Sequence, residues 1–499
     1  MKDVVKRQGS KSFIVNILSV CLGVFNNLII YPLYLSFYGT FQMVWSFINL
    51  MVPFSMLGLA AVVNKFFIEY KDRGKDLLFF ALKWLLISIS IFSLFYFFVL
   101  PSLVVFLKPI FPFIEIVIEN KVPLFITLLL YCLIILFAAI SNINKRIVVP
   151  VLLNKIVNVK MLIPASIVLA SIWGYDETKL IWLFTYCFAI IAFIFLIYIL
   201  KNKWTFNVSE ENHEKTPLKE KLTFGAFGSF NQIGMLLAFS IDVILVFFLL
   251  GDTSAGFYAI FLFLANVVRL PIDSISGLFL PIVNTFFKNK EFGKISDYYK
   301  RMSKIFMFLT IGIFLTIYPA INDILTIMGK DNLINAKYIF SFIAIGIIIN
   351  GSTSINSEII IQSEYYKWNL FFICILGIVN IFLSYYLIVY VFPNSYASAG
   401  AAMGTAISLA IFNLLKMGFV YFKFKMIPFS KSSLIILGIA GFCFSVLYFV
   451  SFTFNPIINL FLYALLVAII YFLPIFLLKL VKDVNDIFTK NLNKLKLYF

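Results

Sequence analysis

The sequence predicts an all-α integral membrane protein with about 14 transmembrane helices. Three observations carry this. Of 499 residues 62% are hydrophobic and only 13% charged, whereas a soluble chain carries about 25% charged residues. Mean hydropathy is +1.01. The apolar residues fall in runs of about 20, the length that crosses a bilayer core. Fourteen such runs are candidates: 13–36, 41–68, 77–106, 122–144, 147–172, 179–200, 223–250, 255–283, 303–328, 335–362, 367–392, 398–424, 432–453 and 456–480.

The net charge of +17 invites a nucleic-acid reading, but its distribution excludes one. The basic residues cluster in the short turns between runs. With the N-terminus in the cytoplasm, Lys108, Lys121, Lys179, Lys330 and Lys337 are the few that fall on the outer side. That bias is the positive-inside pattern and predicts cytoplasmic N- and C-termini. The longest loop, 201–222, is polar, carries the single histidine His213, and divides the chain. The predicted organisation is a first lobe over 1–200 and a linker over 201–222. A second lobe follows over 223–424, then two further helices with a basic tail over 425–499. Asn16 and Asn27 recur in spacing as Asn231 and Asp242, eleven residues apart in each pair, a faint internal repeat across the same division.

Cys21, Cys132, Cys187, Cys374 and Cys443 all lie in apolar runs and read as small buried hydrophobes, with no disulfide framework. One histidine without a Cys/His/Asp cluster argues against a metal centre. No Walker A loop, GxSxG, HExxH or DxD pair is present. No outer loop is long enough to hold a catalytic domain, which argues against a membrane polymerase or ligase. The expected protein is not an enzyme and needs no cofactor.

Function then rests on the polar groups inside apolar runs, which are costly in lipid and face a cavity or a partner. Arg269 lies about fourteen residues into its run, ~21 Å along the axis and near the bilayer centre. A guanidinium there suits phosphate, and Asp273, one turn on, is positioned to pair with it. Pro271 between them is a candidate kink. Lys155 and Lys160 are comparably placed in the fifth run. On an α-helix five residues separate them by about 140°, so they point apart. Asn27, Asn158, Asn231, Asn350 and Ser354 are the candidate cavity-lining polar residues, Asn350 and Ser354 within a dense polar patch that suggests a broken helix. Asp242, Asp273 and Glu358 are candidates for ion coupling or for pairing with a basic residue, as is Lys416 for the basic side. Lys65 and Lys83, near helix ends, read as snorkelling side chains. A cationic interior without a nucleotide site reads as a secondary transporter for an anionic substrate.

The first two runs carry a resemblance. Pro32-Leu33-Tyr34-Leu35, the Tyr38-Gly39 turn, Gly58 and the Lys65 helix end resemble the start of Wzx-type O-antigen and lipopolysaccharide flippases. Those belong to the MOP superfamily, with the MATE exporters and the lipid II flippase as relatives. The resemblance implies two six-helix lobes around a central cavity plus two C-terminal helices. It implies translocation of an undecaprenyl-diphosphate-linked oligosaccharide across the bacterial cytoplasmic membrane for surface polysaccharide biosynthesis. Cavity cations would attract the diphosphate, Arg269 lying on a helix that carries a cavity arginine in relatives. The expected partners are that lipid-linked substrate, membrane lipids, H+ or Na+, and polysaccharide polymerase and glycosyltransferase proteins, with no nucleic acid. Asn26-Asn27 stands where the lipid II flippases carry a charged pair, which argues against lipid II itself as substrate. The rival is a MATE-type multidrug exporter, which needs an acidic cavity for cationic drugs.

Overall fold

In the computed structural model every regular element among the described residues is helical. The structure describes residues 15–70, 74–144, 146, 148–201, 216–226, 229, 241–276, 279–330, 336–392, 396–481 and 485. Asn231 and His213 lie outside them. Among the described residues eleven helices are long and apolar enough to cross a membrane, or twelve if one bent pair is a single span. Their outer surfaces are apolar, with side chains such as Phe79, Phe98, Phe106 and Phe449 more than 70% exposed. That is a surface solvated by lipid. The chain is thus a multi-pass membrane protein.

Packing divides the chain into two compact units, Met1–Ala259 and Ile260–Phe499. The first contains the helical run α1 (Val15–Met56), α2 (Leu59–Phe66), α3 (Asp76–Leu107), α4 (Lys121–Ile143), α5 (Val148–Ile172) and α6 (Glu177–Lys201). It also holds α7 (Ile241–Leu250) and the start of α8 (Asp252–Ser276). At 1.5 Å per residue the 42 residues of α1 would measure about 63 Å, twice a bilayer core. The run therefore holds two passes. They divide at Tyr34, whose φ −131°, ψ 49° leaves the helical region.

Prolines shape several of these helices. Wide, i→i+5 bonded π turns occupy Asn26–Ile30, Phe95–Val99, Val151–Leu162 and Ala468–Phe472. Each ends two residues before a proline: Pro32, Pro101, Pro164 and Pro474. A helical proline lacks an N–H and its ring crowds the carbonyl four residues back. A local widening just before it relieves both defects.

The core of the first unit is aromatic. Trp45 of α1, Tyr131 of α4 and Phe188 of α6 meet with centroids 5.0–6.0 Å apart. Thr127 of α4 and Thr185 of α6 share a 2.8 Å hydrogen bond. Glycine allows closer contact at two places. A Cβ on Gly39 would overlap the Asp252 carbonyl, and one on Gly256 the Leu35 carbonyl. Some 20 residues on, the α1–α2 junction is a left-handed pair, Leu57 (φ 45°) and Gly58 (φ 69°), and a Cβ on Gly58 would overlap the Gly225 carbonyl. Just beyond α2, Glu69 is fastened to the segment 216–226. Thr216 Oγ1 donates to its Oε1 and Lys221 Nζ to its Oε2, both at 2.5 Å. The Lys221 ammonium also lies 5.6 Å from the Phe66 ring and 5.3 Å from Phe80. Lys65, read from the sequence as snorkelling, lies 4.0 Å from the Phe224 ring.

The second unit continues α8 and adds α9 (Phe279–Lys288), α10 (Phe292–Ile317), α11 (Ile321–Ile327), α12 (Ala336–Thr353) and α13 (Asn356–Gln362). Then follow α14 (Tyr366–Val391), α15 (Ala397–Phe424), α16 (Lys431–Phe449) and α17 (Pro456–Leu477). Its centre is α15, whose Ala- and Gly-rich start lets backbones approach. A Cβ on Gly404 would press on Ser384 of α14, and Gly346 of α12 sits against Ala406. Small residues at helix contacts are how bundles pack where lipid removes the hydrophobic drive. α10 and α11 meet at 53°. The interval 284–302 is mostly helix, because α9 and α10 extend into it from either side of a turn near Lys290 (φ 55°).

One expectation is corrected. Cys21 and Cys374 are exposed, whereas Cys132, Cys187 and Cys443 are buried; all five are free. Apolar sequence marks both core and lipid-facing positions in a membrane protein, so it does not distinguish them. α8 runs through Pro271 to Ser276.

Candidate functional site

In the first unit the polar residues of α1 and α5 form one group. Asn26 and Asn27 are buried at 2% and 1% exposure on the π turn before Pro32. Asn27 donates to the Gly23 carbonyl at 2.8 Å and accepts from the Tyr38 hydroxyl at 3.1 Å. Gln42 Nε2 donates to that same hydroxyl at 2.7 Å. Tyr31 stacks on Tyr38 with centroids 3.7 Å apart. Asn26 donates to the Lys160 carbonyl at 3.0 Å, which ties α1 to α5.

The α5 side of this group is the twelve-residue π segment Val151–Leu162. Its register changes the reading of the lysines. The Ile163 N–H bonds the Asn158 carbonyl, five residues back. In that register residues five apart stand nearly one above the other. Lys155 and Lys160 therefore share a face, and the divergence of about 140° that α-helical geometry predicts is overturned. Lys155 is exposed and Lys160 half-buried. In the same register Asn158 points to the other side of the helix, where it is fully buried, and neither of its amide atoms has a hydrogen-bond partner among the described residues. Asn154 Oδ1 is likewise unpartnered. An unsatisfied buried amide costs roughly 1–3 kcal/mol. Long π segments are rare and tend to mark functional sites. Two ammonium groups on one side of a helix suit an oxyanion with more than one charged centre. Asp242, buried on α7, accepts from the Tyr258 hydroxyl at 3.2 Å.

In the second unit Arg269 Nε donates to Asp273 Oδ1 at 2.9 Å. The arginine side chain is 23% exposed and the aspartate 51%. The polar patch of Asn350 to Glu358 is a broken helix. α12 ends at Thr353, Ser354 is left-handed at φ 43°, and α13 begins at Asn356. Thr353 Oγ1 donates to Asn413 Oδ1 of α15 at 2.8 Å. Ser303 of α10 donates to the Ser352 carbonyl. Lys416 of α15, 1% exposed, donates to Ser357 Oγ and lies 3.9 Å from the Phe412 ring centre. Glu358 Oε2, Ser354 Oγ and Tyr299 Oη are buried without partners among the described residues. Asn350 is half-buried beside this break.

Sequence reasoning placed none of Asn413, Tyr38 and Gln42 in a site. Asn413 and Lys416 are three apart on one helical run, a polar stripe that periodicity alone reveals. The pairing of Lys416 with Ser357 spans 59 residues and leaves no local trace.

No family model matches the chain. Over 112 residues it is 28% identical to the uncharacterized membrane protein EpsK of Bacillus subtilis (strain 168), a stretch that is 22% of each chain. The match thus spans about a fifth of that relative's length. Among solved structures the chain resembles the lipid II flippase MurJ in an inward closed conformation. The TM-score is 0.63 and identity 16%, with 94% of this chain and 98% of that one covered. It also resembles an inward-facing multidrug resistance MATE transporter of the MOP superfamily, with TM-score 0.60, identity 11% and coverage of 82% and 94%. The chain therefore shares the fold of these two solved structures.

Proposed function

We propose that this protein is a secondary carrier that flips an undecaprenyl-diphosphate-linked oligosaccharide across the cytoplasmic membrane by alternating access, for surface polysaccharide biosynthesis. Its observational support is the π segment of α5, which brings Lys155 and Lys160 to the same side of the helix. A diphosphate presents two charged centres to two ammonium groups. Low dielectric strengthens that attraction well beyond its value in water. The same reading gives a phosphate-binding role to Arg269 of the second unit, which is paired with Asp273. The lobe boundaries 1–200 and 223–424, the linker 201–222, the C-terminal pair of helices and the cytoplasmic termini belong to the same reading.

The test is surface polysaccharide export in cells carrying Arg269→Ala at normal expression. Export should be abolished, and export at the normal rate contradicts the role given to Arg269. The MATE-type multidrug reading is favoured by the fold shared with such a transporter. It requires efflux of cationic drugs, which a drug-accumulation assay measures directly.

A further inference from the structure

The second unit holds an acid–base pair that anion binding does not use. Glu358 lies on α13, one residue after Ser357, to which Lys416 reaches from α15. The Lys416 ammonium donates to Ser357 Oγ and stacks on Phe412, while Glu358 Oε2 is buried with no donor. Tyr298 and Tyr299 of α10 are titratable groups within reach of its charge. Lys288 at the end of α9, Lys367 at the start of α14 and Lys423 at the end of α15 are the remaining basic residues on the elements packed against α13. A buried carboxylate oxygen without a donor costs several kcal/mol. A proton bound there would remove that cost, with Lys416 held on the neighbouring Ser357.

We propose that Glu358, with Lys416 as a built-in counter-cation, is a proton-binding site through which the carrier takes up a proton rather than a metal cation. The inference rests on the carrier reading above and names its coupling ion. On uptake one proton adds to a Glu358 carboxylate oxygen, and the pair goes from zero net charge to +1. On release the carboxylate reforms and attracts the Lys416 ammonium away from Ser357 Oγ. Consecutive residues stand about 100° apart around a helix. The exchange therefore swings Lys416 or turns α13, and the left-handed Ser354 at the break between α12 and α13 is the hinge for that turn. A sodium ion would have to enter beside the ammonium, against like-charge repulsion in low dielectric. Hard cations also want several oxygen ligands, and here Lys416 already occupies the Ser357 hydroxyl.

The experiment is pH-difference infrared spectroscopy on the purified full-length protein in lipid, without substrate. Wild type should show a protonated-carboxyl C=O band that appears on acidification and does not change on adding sodium. Glu358→Gln, nearly isosteric, should lose that band. Persistence of the band in the variant overturns the assignment. So does its absence from wild type, or its displacement by sodium, and both of these are read on wild type whether or not the variant folds. Because no substrate is present, failure here leaves the flippase reading standing, and failure of flipping leaves the proton result standing.

Discussion

Lys221 Nζ lies 2.5 Å from Glu69 Oε2, and both side chains are only 7% exposed. The pair joins the chain just after α2 to the segment 216–226 over 152 residues of sequence. Burial pushes the Glu69 carboxyl up, but the hydrogen bonds of Lys221 and Thr216 and the charge of Lys221 outweigh it. Glu69 therefore stays below its ordinary value of 4.5. A depressed carboxylate contributes stability that is fully present above its unfolded value and is lost as pH falls through its folded one. Glu69→Gln strands a buried ammonium, at a cost of about 3–5 kcal/mol. Thermal unfolding at pH 7 should show that loss, and the gap between wild type and variant should narrow below about pH 4.5.

Gly58 and Gly174 separate two effects of adding a methyl group. Both have positive φ, 69° and 63°. At Gly174 a Cβ meets open space, so Gly174→Ala costs only the left-handed strain of about 1–2 kcal/mol. At Gly58 it runs into the Gly225 carbonyl, so Gly58→Ala adds about 1–3 kcal/mol of overpacking. Melting of the purified variants should rank Gly58→Ala clearly below Gly174→Ala.

Asn158 should trade stability against transport. Its amide is fully buried and unpartnered, so Asn158→Leu removes a desolvation cost and leaves a similar shape. The variant should melt at or above the wild-type temperature while flipping more slowly. Equal flipping would show that the amide does not meet the substrate.

Pro164 sets the register of the lysines. Without its ring the two residues before it have no reason to end a π turn. Pro164→Ala should allow α-helical bonding to spread back through Leu162, turning Lys160 away from Lys155. Transport should fall without loss of expression, as measured by flipping per mole of reconstituted protein.

Much of this architecture was legible in the sequence because its signals are local. Apolar runs located the spans, and the few charges inside them pointed to Lys155, Lys160, Arg269 and Glu358. The π register was also written there, in Pro164 two residues past Leu162, but a reading at 3.6 residues per turn passes over it. The links between Glu69 and Lys221 and between Lys416 and Ser357 depend on tertiary approach across 152 and 59 residues, and no periodicity carries that. The contact of Gly39 with the Asp252 carbonyl is of the same kind, since a glycine at a helix contact looks like any other glycine until its neighbour is known.

The central claim is that Lys155 and Lys160, on one side of α5, grip a lipid diphosphate. Its most direct measurement is flipping of an undecaprenyl-diphosphate-linked oligosaccharide by proteoliposomes holding wild type or the Lys155→Ala, Lys160→Ala double variant. Each charge-assisted hydrogen bond is worth about 1.5–3 kcal/mol, and 1.4 kcal/mol is a factor of ten. Wild type should flip the lipid, and the double variant should be slower by at least about tenfold. Equal rates, or a wild-type protein that leaves this lipid in place and moves cationic drugs instead, would contradict the account.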